Sequence, residues 1–110
     1  MDNIIKVKVG DNTYGIMSGG TKIITLSSNG WVFDPTSGGY TQEVLVDGIN
    51  GETSCVLDVS VSKVDNIEQA YEQWSLVFNA ETINHNDTQG KIIFYAKEQT
   101  TINLNVVVKW

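Results

Sequence analysis

The chain has 110 residues, with seven Lys, no Arg, thirteen Asp plus Glu, one His, one Cys and one Pro, and a formal net charge of -6. A composition of 41% hydrophobic and 18% charged residues in that length fits one globular domain spanning 1–110. Scattered lysines argue against nucleic acid, the lone Cys55 excludes an internal disulfide or Cys-rich zinc site, and Lys6 and Lys8 break the first apolar run, so no membrane span is expected.

Two-residue alternation dominates, the signature of strands with one buried face. Ile5, Val7 and Val9 alternate with Lys6 and Lys8, which predicts a first strand over 3–9. A turn at Gly10-Asp11-Asn12 and a glycine-rich stretch follow, and the β-branched run Lys22 to Ser27 predicts a second strand. Residues 29–39 hold the only proline and several glycines and read as a loop, although Trp31 and Phe33 within it need cover. Val44 and Val46 alternate with Glu43 and Asp47 in a third strand, and Asn50-Gly51 is a favourable turn pair. From Thr53 to Ser62 the alternation is clearest, with Cys55, Leu57, Val59 and Val61 on one face and Val56 the exception on the other.

Between Asp65 and Trp74 the period changes. Ile67, Ala70, Tyr71 and Trp74 form one helical stripe, with Asp65 as the expected N-cap and Glu68 placed for a capping box. Leu76, Phe78 and Ala80 then read as one face of a strand, and Glu81 to Gln89 as a polar loop. The next strand sets Ile92, Phe94 and Ala96 against Ile93 and Tyr95, and the last places Ile102, Leu104, Val106 and Val108 on one side. The expected fold is mainly β: an antiparallel β-sandwich of about seven strands with one short helix, around 65–74, as a crossover.

Few residues point to chemistry. His85 could pair with Asp87 and a nucleophile such as Ser75 or Thr88, but no nucleophile motif surrounds them, and a solvated loop histidine is the simpler reading. Cys55 could act with His85 as base, yet its alternation partners place it in the core. Glu81, Asn84, Asn86 and Asp87 offer oxygen ligands for calcium without the spacing of an EF-hand loop. No catalytic residue, metal or cofactor is therefore assigned. Candidate interface or sugar-stacking residues are Tyr14, Trp31, Tyr40 and Trp110; core packing is the simpler reading of Trp31, and Trp110 is the better interface candidate.

A family resemblance adds to this. Gly30-Trp31 after a short strand is followed by Tyr40, Thr41, Val44, Val46, Gly48 and Ile49 in the pattern Tyr-Thr-x-x-Val-x-Val-x-Gly-Ile. Ala70-Tyr71 on the short helix, then Gly90, Ile92, Phe94 and Ala96, then Ile102, Leu104 and Val106 complete it. The set resembles small virion structural proteins of tailed bacteriophages of Firmicutes. It departs from them at Gln99-Thr100-Thr101, where the group often has proline, and in the longer loop before Gly90; residues 1–20 lie outside the pattern as a candidate attachment element. The resemblance implies a non-enzymatic tail-fibre or baseplate appendage, or a head fibre or capsid decoration. Its partners would be other virion proteins and further copies of itself, with a trimer as the analogy. It would be assembled in the bacterial cytoplasm and displayed on the virion. The alternative is a carbohydrate-binding module reading a host cell-wall glycan.

Overall fold

A computed structural model describes the backbone of residues 5–7 and residues 19–110. The elements in order are β1 (Ile5–Val7), β2 (Thr21–Leu26), β3 (Val32–Asp34), β4 (Gly39–Asp47), β5 (Cys55–Val59), α1 (Ile67–Trp74), β6 (Val77–Asn84), β7 (Gln89–Ala96) and β8 (Leu104–Lys109). They form two four-stranded sheets, ordered β1-β5-β8-β2 and β3-β4-β7-β6, and every strand pair is antiparallel. The expected sandwich is thus what the chain builds, and α1 is the crossover from β5 in the first sheet to β6 in the second.

The core lies between the sheets and follows the alternation. Ile24 and Leu26 of β2, Cys55, Leu57 and Val59 of β5, and Leu104, Val106 and Val108 of β8 face inward from the first sheet. Val46 of β4, Ala80 of β6, and Ile92, Phe94 and Ala96 of β7 meet them from the second. Trp74 and Ala70 bring α1 onto this core, as the helical stripe requires, while Ile67 at the start of the stripe is exposed.

Four local expectations need correction. The segment 29–39 is no simple loop, because Val32–Asp34 pairs with Gly39–Thr41 as a short hairpin closed by Gly38 at φ 77°. Asn66 rather than Asp65 caps α1: its Oδ1 accepts the Gln69 N–H at 3.0 Å, which puts Glu68 one position too early for the capping box. Strand β6 runs on to Asn84, so the polar loop shortens to the turn around His85–Thr88. Finally, Val77 pairs with Ala96 and Asn79 with Tyr95, leaving Phe78 as the extra residue of a β-bulge. The bulge shifts the alternation by one, so Val77 faces the core and Phe78 is 53% exposed.

The Asn50-Gly51 turn forms, with the Thr53 N–H donating to the Asn50 carbonyl at 3.1 Å, but it links the two sheets and makes no hairpin. Gly90 explains how the chain passes there. A Cβ on Gly90 would lie 2.9 Å from Asn50 Cα and from the Ile49 carbonyl oxygen, so only glycine lets that segment cross β7.

Candidate interaction face

The catalytic groupings through Ser75 and Cys55 do not assemble, and the Thr88 hydroxyl, in the same turn as His85, donates to Asn86 Oδ1 at 3.2 Å. Ser75 is the C-cap of α1, before β6, whereas His85 follows its far end; eight strand residues at about 3.3 Å each separate them by roughly 25 Å. The Cys55 thiol is buried, and burial pushes its pKa up to about 11, so it packs as a neutral apolar group. Oxygens of three of the four residues considered for calcium are engaged in different places. Glu81 accepts from the Tyr95 hydroxyl, Asn84 from the Gly51 N–H, and Asn86 from Thr88 and Gln89 within its own turn. Among the described residues no group of three or more His, Cys, Asp or Glu could hold a metal ion.

Of the aromatic candidates, Tyr14 lies outside the described residues. Trp31 is in the core at 5% exposure, and its Nε1–H donates to Thr100 Oγ1 at 2.9 Å. Its ring faces are therefore closed to a sugar. Tyr40 is half-buried and meets Phe33 edge-to-face, with centroids 5.7 Å apart. Trp110 is half-buried and held by its own chain: Gly19 and Gly20 N–H donate to its carbonyl at 2.8 and 2.9 Å, and its N–H donates to the Gly20 carbonyl at 3.0 Å. Its indole lies against Gly19, Gly20 and Gly48.

The more notable surface is the outer face of the second sheet. Along β4 the outward row is Thr41, Glu43, Leu45 and Asp47; along β7 it is Gln89, Lys91, Ile93 and Tyr95; along β6 it is Asn79, Glu81 and Ile83. The registers set Glu43, Ile93 and Glu81 in one rung and Leu45, Lys91 and Ile83 in the next. Val32 on the neighbouring β3 is 65% exposed and Leu45 46%, so exposed apolar side chains stand among the carboxylates of this face. Each of the central carboxylates is tied down. Lys91 Nζ reaches Glu43 Oε1 at 2.6 Å, the Tyr95 hydroxyl donates to Glu81 Oε1 at 2.6 Å, and Gln89 Nε2 donates to Asp47 Oδ1 at 2.6 Å.

Tyr95 reports the sign of this face. The hydrogen bond to Glu81, then burial, then the negative charges of Glu81, Asp34 and Glu43 push its pKa up to about 12. Phe78, turned outward by the bulge, stands beside it with ring centroids 6.4 Å apart and planes inclined by 46°. The sequence carried part of this signal, because β7 is apolar on both faces. The Phe78 contribution was hidden, since a bulge leaves no trace in a period count. Comparison with known protein families, curated proteins and solved structures gives no match.

Proposed function

We propose that this chain is a non-enzymatic assembly module of a bacteriophage virion, of the tail-fibre or baseplate appendage or capsid-decoration kind. It docks on another virion protein through the outer face of the β3-β4-β7-β6 sheet. The observation that supports this reading is a set of apolar side chains, exposed Val32, Leu45 and Phe78 and half-buried Ile93, one on each strand of the outward face of a sheet whose other face already covers the core. An antiparallel sheet with one solvated face normally carries polar residues there, and apolar side chains on every strand of such a face, set among charges, suit a contact surface. The buried ring of Trp31 weighs against the glycan reading, since it removes that candidate stacking residue from the surface.

The test is made on particles. Purified virions of the parent phage, labelled with an antibody to this protein, should show it on head or tail, and absence from both would sink the assignment. Ile93→Arg, at the centre of the face, should fold normally yet fail to incorporate into particles; normal incorporation would remove the face from the proposal. Light scattering on the purified protein tests the associated expectation of a trimer, and a monomer at all concentrations would exclude self-assembly in the free protein.

A further inference from the structure

We infer that the Phe78–Tyr95 corner of this face is a seat for one basic side chain, arginine or lysine, of the docking protein, an inference that rests on the docking reading above. Two independent features meet at that corner. The first is aromatic. Phe78 is 53% exposed, and its ring is inclined by 46° to that of Tyr95 with centroids 6.4 Å apart, so the two do not stack face to face. The face of an aromatic ring attracts a cation, and a guanidinium also stacks on it.

The second feature is charge. Glu81 is pinned beside the rings by the Tyr95 hydroxyl at 2.6 Å, and Glu43 occupies the same rung across Ile93. Asp34, at the end of β3, adds its negative charge at the Tyr95 phenol, as Glu81 and Glu43 do. The nearby cation Lys91 is engaged with Glu43, and Lys97 borders the Gly38–Gly39 depression beside Phe78. Carboxylates thus outnumber cations around the two rings.

This decides the occupant. A second copy of the chain, packed by the same face, would set these carboxylates against their own equivalents. An uncharged apolar partner would bury Glu81 and Glu43 with no added counter-charge, and both arrangements are costly. A partner that presents Arg or Lys between apolar residues covers Ile93 and Leu45 and neutralises the carboxylates together. Because hydrogen bonds already hold the carboxylates in place, they lose little freedom on binding.

The experiment uses the whole chain, labelled with nitrogen-15, and two short peptides. One alternates valine and arginine; the other carries citrulline, of the same shape without charge, at every arginine. The arginine peptide should shift the amide signals of Phe78, Tyr95, Glu81 and Glu43, and the citrulline peptide should bind about tenfold more weakly. The double variant Glu43→Gln with Glu81→Gln should weaken the arginine peptide to a similar degree while its spectrum elsewhere stays unchanged. Equal binding of both peptides at this face would overturn the cation seat and leave the docking face standing. Shifts only elsewhere, or none, would also overturn the seat, and the docking face would then be judged by the Ile93→Arg particles alone.

Discussion

Gln42 sits in the inward row of β4, at a position where alternation would place an aliphatic residue, and it is 8% exposed. Its carboxamide works as a piece of backbone. The Ser27 N–H donates to Gln42 Oε1 at 2.8 Å, and Gln42 Nε2 donates to the Ser27 carbonyl at 3.0 Å, so one side chain of the second sheet pairs with the end of β2 in the first. Gly30 makes room for it, since a Cβ there would lie 2.8 Å from Gln42 Oε1. The Gly30-Trp31 pair that carries the family resemblance thus serves the fold: glycine admits the carboxamide, and tryptophan fills the core and bonds Thr100. Replacing Gln42→Leu leaves the Ser27 N–H and carbonyl without that partner. We expect a loss of about 1–3 kcal/mol, read as a lower urea midpoint with an unchanged denaturant slope. An unchanged midpoint would show that water replaces the carboxamide at no cost.

At the scale of elements, sandwiches must protect their edge strands, and this one does so in different ways. β3 is only three residues long. β6 is bulged at Phe78, and Thr82 Oγ1 bonds the carbonyls of Gly51 and Thr53, which bring the interstrand turn against its other end. Among the described strands β2 is the longer edge of the first sheet, and there Lys22 occupies the inward row, opposite the buried Val108, yet stays exposed. A lysine pointing inward at an edge penalises pairing with a further strand. Lys22→Val should therefore associate through β2, and the molar mass from light scattering should climb with protein concentration beyond that of the parent. Equal scattering would show that Lys22 guards nothing. Strands β2 and β4 to β8 and helix α1 were legible from period alone, because each places one row of side chains in a shared core. What period could not reveal were the events of a single residue: the bulge at Phe78, the shift of the cap to Asn66, and the hairpin at Val32–Asp34. Each depends on which backbone groups find partners rather than on which face is apolar. The outer face was half legible for the same reason, with Ile93 and Tyr95 evident in β7 and Phe78 misplaced.

For the whole molecule, Cys55 ties acidity to folding, because it lies in the one core shared by both sheets. Burial raises its pKa from 9.0 to about 11, so the folded state holds the thiol proton more tightly than the unfolded chain does. The resulting contribution to stability is complete below pH 9 and is lost as pH rises towards 11. Urea midpoints should fall across that window, and Cys55→Ala should flatten the fall there; an equal fall in the variant would place the titration elsewhere. The seat of Trp110 is global in another sense. Gly19 and Gly20 lead into β2 of one sheet, Gly48 follows β4 of the other, and the same indole rests on all three. Positions 19, 20 and 110, which no periodicity connects, are therefore one unit of inheritance: a lineage that shrinks the last is freed to enlarge the first two, whereas position 48, at φ 91°, favours glycine whatever stands at 110.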